Sequence, residues 1–260
     1  MKEKQTEIGV IIGRFQTPEL HSEHKKLIDY VFSLHDKVII FLGVSPTLGT
    51  RKHPLDFVTR KAMIEEFYHG VGITILPLLD QKSDEVWSKQ IETKVREVYS
   101  TGSVTLYGSK DSFIPYYKGG FKTCELEPEV YISATDIRKT VSKKVLSSYE
   151  FRCGVIYGVY NQYPTVHSTV DLVIFNDKNE ILLGQKPNET EWRFVGGFVD
   201  VTDESEEISA KREVREETGL EVDSLNFICS QKVQDWRYKN MSDRGIMTHF
   251  YEAKYIFGCP

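Results

Sequence analysis

Through the first half of the chain, short runs of β-branched and aliphatic residues alternate with stretches whose apolar positions recur every three or four residues. Residues 8–15 predict a strand and 21–34 an amphipathic helix; 38–44 and 56–68 repeat the pair. A strand over 73–78, a helix over 84–99 and a strand over 104–107 follow, and a last helix begins near Ser133. Strand–helix alternation of this kind predicts an α/β unit with a parallel sheet covered on both faces. Ligands of such sheets bind at the carboxyl ends of the strands, which singles out the loops after Ile12, Val44 and Tyr107.

From about Tyr149 the pattern changes. Residues 149–164 are rich in Tyr and Gly and read as a connector with at most one short strand. Beyond them, 169–175 alternate like a strand, 176–179 form a turn, and 181–184 read as a second strand. A helix over 205–218 and strand-like runs over 225–231 and 248–257 complete an α+β unit with one central helix. The boundary falls between 150 and 165, drawn here as 1–152 and 153–260.

A length of 260 residues suits two domains. A net charge of −5 removes any global basic field, which disfavours nucleic acid as a partner but leaves room for a local cationic pocket. Cys124, Cys153, Cys229 and Cys259 form no CxxC pair, which argues against a structural zinc site or a disulfide framework. With no signal peptide and no apolar run long enough to span a bilayer, the expectation is a cytoplasmic protein without a membrane partner.

Gly13-Arg14-Phe15-Gln16 closes the first strand and His21-Ser22-Glu23-His24 opens the first helix. Imidazoles at i and i+3 share a face, and a helix N-terminus favours anions through its free N–H groups and dipole. On its own the pair reads equally well as two surface histidines. Residues 132–138 add Ser133, Thr135 and Arg138 at another helix start, a second phosphate cradle or an ordinary cap.

In the C-terminal half, Gly196 and Gly197 precede Glu204, and residues 212–220 read REVREETGL. Glu213, Glu216 and Glu217 fall on one helical face, where like charges repel by a few tenths of a kcal/mol per pair, about 0.2–0.5. A cluster of oxygen ligands for a divalent cation explains the arrangement; a solvated acidic face is the alternative.

The N-terminal pair of segments resembles the HxGH and ISSTxxR signatures of the nucleotidyltransferase superfamily. The resemblance is strongest to nicotinamide-mononucleotide (NMN) adenylyltransferases fused to a Nudix domain. Gly13 to Gln16, His53-Pro54-Leu55 with Arg60 and Met63, Gly108-Ser109-Lys110-Asp111, and Trp87 also match. The resemblance implies a Rossmann-like fold, ATP as co-substrate, Mg²⁺ on the phosphates, and in-line attack of the NMN phosphate on the α-phosphate of ATP to give NAD. Arg14, His21, His24 and Arg138 would supply positive charge; Ser133 and Thr135 would hold the β- and γ-phosphates. Gly13, Phe15, Gly108 and Asp111 would shape the substrate site. Trp87 would stack on nicotinamide, or simply face the core. The sequence departs at Glu23, where the family has glycine.

Residues 197–220 resemble the Nudix box, with one extra residue between Gly197 and Glu204. Glu213, Glu216 and Glu217 would then bind Mg²⁺, or Mn²⁺, with Glu213 also catalytic, and Arg212 would orient them by pairing with Glu204. ADP-ribose, giving AMP and ribose 5-phosphate, is the implied substrate, and Trp192 or Trp236 would stack on a base or pack. Only about forty residues follow Leu220, so the domain reads as short and marginally stable unless the chain is a homodimer. Two alternatives stay open: a non-catalytic, nucleotide-sensing Nudix module, and an adenylyl- or cytidylyltransferase for another phosphorylated acceptor.

Overall fold

The protein is described by a computed structural model covering residues 6–47, 49–70, 72–109, 112–187, 190–234 and 241–257. It divides into two compact units, Met1–Gln162 and Tyr163–Pro260.

The first unit is a five-stranded parallel sheet in the order β3-β2-β1-β4-β5. Its strands are β1 (Glu7–Gly13), β2 (Lys37–Val44), β3 (Ile73–Leu79), β4 (Ser103–Ser109) and β5 (Lys122–Leu126). Helices α1 (Ser22–Leu34), α2 (Phe57–Phe67), α3 (Asp84–Val98) and α4 (Ala134–Val141) follow in Rossmann-like fashion. Both sheet faces are buried, so β2 sends alternate residues to opposite cores. Val38, Ile40 and Leu42 join Ile28 and Val31 of α1, while Ile39 and Phe41 join Ile91 and Val95 of α3. Each such fully buried aliphatic contributes about 1.5–3 kcal/mol. Side-chain caps from Asp56, Ser83 and Ser133 start α2, α3 and α4.

Strand order reverses between β1 and β4, which flank one another in register. That switch point opens a crevice at the carboxyl ends of these two strands.

Three sequence expectations are corrected. Strand β5 had no separate signal, because its residues KTCEL are half polar on a sheet edge. Residues 149–164 are not a connector: α5 (Tyr149–Tyr160) starts at a Ser148 cap, and its Tyr157 hydroxyl donates to Asp56. Residues 181–184 make only isolated bridges, Phe175 with Ile181 and Gly184 with Arg193.

The second unit is a mixed sheet. Strand β6 (Thr165–Phe175) pairs antiparallel with β7 (Val195–Phe198) and parallel with β10 (Arg244–Phe257). Strand β10 also carries β8 (Glu221–Val222) and β9 (Asn226–Val233), both antiparallel. Helix α6 (Glu206–Thr218) packs Ala210 and Val214 onto Val170, Leu172, Val195 and Tyr251. Ser205 caps its start, and Gly219, in the left-handed conformation, ends it. Among the described residues, no helix is long and apolar enough to cross a membrane.

Candidate active sites

In the first unit, a cavity of about 750 Å³ opens at the carboxyl end of the sheet, a volume typical of small-ligand sites. Gly13, Arg14 and Phe15 after β1, Gly43 of β2, Leu78 and Asp80 at β3, and Ser109 of β4 contribute to its wall. His24 and Leu27 of α1 and Trp87 of α3 close it.

The turn out of β1 is unusual. Phe15 takes φ +45°, a left-handed conformation that costs a bulky residue on the order of 1 kcal/mol or more. The turn is held from both sides. Gln16 clamps Leu55, donating from Nε2 to its carbonyl (2.8 Å) and accepting its N–H (2.9 Å). Arg60, 2% exposed, donates to the carbonyls of Arg14 (2.7 Å), Gly43 (2.9 Å) and Asp56 (3.0 Å). Burial, and then the neighbouring Arg14 charge, push its guanidinium down to about 10.

His21 caps α1, its Nδ1 accepting the His24 amide at 3.3 Å, and the two rings stack at 3.5 Å. Phe15 lies 4.6 Å from the His24 ring. Burial, reinforced by His21, drives His24 down to about 3, and burial also lowers His21. The expected histidine charge is therefore absent in this state. The pair act as hydrogen-bonding groups, and positive side chains come from Arg14 and Lys52 in the cavity wall. The buried Nδ1 of His24 has no hydrogen-bond partner among the described residues. An anion brought beside this ring would raise its pKa again.

Ser133 caps α4, and Arg138 donates to Gln16 O (3.0 Å) and Thr135 Oγ1 (3.0 Å). Of these three, Arg138 is tied to the β1 turn, and none contributes to the cavity wall. Trp87 packs on the core, with Phe113 at 5.8 Å, and also lines the cavity. Gly108 sits beneath Ser112, where a Cβ would come within 2.5 Å of Oγ. Asp111 lies outside the described residues. Asp80 was missed by sequence reasoning. It pairs with Arg14 at 2.7 Å from the end of β3, a strand end of the kind singled out for the other strands.

Glu23 does not crowd this cavity. It is absent from the cavity wall; its Oε2 accepts the Glu129 amide at 3.0 Å and its Oε1 pairs with Lys26 at 3.0 Å.

The second unit gathers the other candidates around α6 and β7. Gly196, at φ +156°, has room for no side chain: a Cβ would lie 2.0 Å from the Val170 carbonyl oxygen. A Cβ on Gly197 would lie 2.5 Å from Glu213 Oε2, so this strand leaves room for a carboxylate. Arg212 Nη1 donates to Glu213 Oε1 (2.7 Å) and Glu216 Oε2 (3.1 Å), while Glu217 accepts the Gly196 amide at 3.2 Å. Its expected partner is corrected. Arg212 is held by Asp203, not by the exposed Glu204. The extra residue before the helix shifts the register of this turn, so the shorter Asp203 meets the guanidinium.

Three glutamates on one side of a helix supply only hard oxygen donors, which suits Mg²⁺ or Mn²⁺. Among the described residues no three acidic or histidine side chains are yet gathered to hold a cation. Arg212 occupies Glu213 and Glu216, and a cation would compete with it for them. Trp192 is exposed, and Trp236 lies outside the described residues.

Comparisons with known proteins agree with both halves. Residues 165–256 match the NUDIX domain family. The chain is 31% identical over 91 residues to a nicotinamide-nucleotide adenylyltransferase of Thermococcus onnurineus, covering 34% of this chain and 48% of that one. It is 28% identical over 138 residues to the Pyrococcus horikoshii enzyme of the same name, covering 50% of this chain and 70% of that one. The matched region thus spans about half the length of the first of these relatives. A bifunctional NMN adenylyltransferase/ADP ribose pyrophosphatase from Francisella tularensis has the same fold at 22% identity. That match covers 98% of this chain and 87% of that one, with a TM-score of 0.50. Residues 165–256 are thus a NUDIX domain, and about half of the chain is similar in sequence to nicotinamide-nucleotide adenylyltransferases.

Proposed function

We propose that the first unit transfers AMP from ATP to NMN, giving NAD and pyrophosphate, and that the NUDIX unit hydrolyses ADP-ribose to AMP and ribose 5-phosphate. The observation that carries the first reading is the stacked His21–His24 pair at the start of α1, beside a cavity that also holds Arg14 and Trp87.

An NMN phosphate oxygen attacks the α-phosphorus, the bond to the β-phosphate breaks, and pyrophosphate leaves. Catalysis is positioning plus charge stabilisation. His24 and His21 hydrogen-bond the reacting phosphate, Arg14 and Arg138 offset its charge, and Ser133 and Thr135 hold the departing phosphates. Gly13, Phe15 and Gly108 shape the floor, Asp111 belongs to the matching motif, and Trp87 stacks on nicotinamide. Mg²⁺ enters with ATP as part of the substrate.

In the second unit, Glu213, Glu216 and Glu217 would hold the divalent cations, which supply charge neutralisation at the diphosphate. A water oxygen attacks phosphorus and the bridging P–O bond breaks. Glu213, 14% exposed against 60% for Glu216, takes the water proton. Arg212 holds both carboxylates in place.

NAD formation from NMN and ATP with Mg²⁺, in wild type and His24→Ala, tests the first reading. Loss of NAD in the variant supports it; no NAD from folded wild type refutes it. AMP release from ADP-ribose, lost in Glu213→Gln, tests the second in the same way.

A further inference from the structure

We propose that Glu23, at the position where related motifs carry glycine, is a positioning residue that sets the phosphate-binding end of the adenylyltransferase site. The inference rests on the adenylyl-transfer reading above.

The segment from β5 to α4 carries Ser133, Thr135 and Arg138 to the site, and it is tied to the β1–α1 region at both ends. Arg138 reaches back to the Gln16 carbonyl at 3.0 Å. At the other end the Glu129 amide donates to Glu23 Oε2 at 3.0 Å, across 106 residues of sequence. The Val130 amide faces the same carboxylate. Lys26 reinforces this tie by pairing with both Glu23 and Glu129.

The Glu23 side chain is only 12% exposed, although it sits on the first turn of a surface helix. His21 and His24 flank it in sequence but turn to each other. The same turn of α1 therefore presents imidazoles to the reacting centre and, through Glu23, fixes the segment that bears the phosphate-binding hydroxyls. Glycine at this position has no atom that reaches the Glu129 amide.

The expected consequence is selective for ATP. Glu23→Ala frees residues 129–133, so KM for ATP rises about tenfold while KM for NMN stays within about twofold. Glu23→Gln keeps an oxygen that accepts the Glu129 amide and restores most of the ATP affinity. Hydrogen–deuterium exchange of the full chain reads the tie without activity: exchange at 129–130 speeds up in Glu23→Ala and stays slow in Glu23→Gln.

Unchanged exchange in Glu23→Ala overturns the tie. Faster exchange with unchanged KM for ATP, or an equal rise in both KM values, overturns the positioning role. Should wild type form no NAD, the adenylyl-transfer reading fails by itself. ATP affinity measured by calorimetry then replaces KM, and equal affinity in wild type and Glu23→Ala overturns the proposal.

Discussion

Arg212 lays two of its nitrogens on one oxygen of Asp203, Nε at 3.1 Å and Nη2 at 2.9 Å, while its remaining Nη1 spans Glu213 and Glu216. Ser209 donates to the same Asp203 oxygen at 2.6 Å. The guanidinium and the hydroxyl hold the Asp203 carboxyl below the usual carboxylate range. A charged anchor therefore aims the arginine that in turn aims the glutamates.

Removing the anchor lowers activity without touching the reacting groups. Asp203→Ala is expected to reduce ADP-ribose hydrolysis by about 10–100-fold, the usual effect of losing such an orienting partner. Glu204→Ala should stay within about twofold, since Glu204 is exposed and Asp203 has its place. Steady-state hydrolysis rates for the two variants decide the matter, and the reverse order would return the role to Glu204.

The adjacent glycines fail differently. Gly196→Ala drives a Cβ against backbone that cannot move, and should cost about 3 kcal/mol, the upper end of overpacking. Gly197→Ala meets only the end of the Glu213 side chain, so the fold should persist while hydrolysis falls. Urea titration beside an activity assay separates the two; equal stability loss in both would contradict it.

His24 predicts acid sensitivity. Its folded pKa is depressed to about 3 from the ordinary 6.5, so between those values the unfolded chain binds a proton that the folded chain does not. Stability is therefore full above about pH 6.5 and falls as pH drops, with a loss on the order of 3 kcal/mol by about pH 4. Denaturation midpoints of wild type and His24→Gln across this range should converge as pH falls. Parallel curves would show that His24 is not the group responsible.

Arg60 is a structural cation. Arg60→Ala leaves the carbonyls of Arg14 and Gly43 without their buried donor, at a cost of about 1–3 kcal/mol for each. Thermal unfolding measures this directly; a shift in Tm below about 2 °C would sink it.

The parallel sheet, the central helix of the second unit and the carboxyl-end location of the first site were legible in the sequence because each rests on a local repeat or a fixed spacing. Strand β5 was not, since an edge strand with polar residues lacks the apolar run that marks β2. Helix α5 was hidden by its Tyr and Gly content, which matches no amphipathic period and buries none of its residues. The Asp203 pairing was beyond reach for a different reason. Spacing alone favoured Glu204, and only the path of the turn through Asp200 and Thr202, where Thr202 caps the Asp200 carboxylate, decides which acid faces Arg212. Asp80 needed the parallel register of β2 and β3 to come beside Arg14.

The parallel pairing of β6 with β10 bears on how the chain acquires its structure. Those strands are neighbours in the sheet but stand at opposite ends of the second unit in sequence, and among the described residues β9 and β8 pair with β10. During synthesis the first unit can close β1 on β2 and β2 on β3 as they emerge, with β4 then returning to β1, whereas the NUDIX sheet waits for β10. Its folding rate is limited by that long-range closure, and until then the apolar face of α6 has no partner in β10.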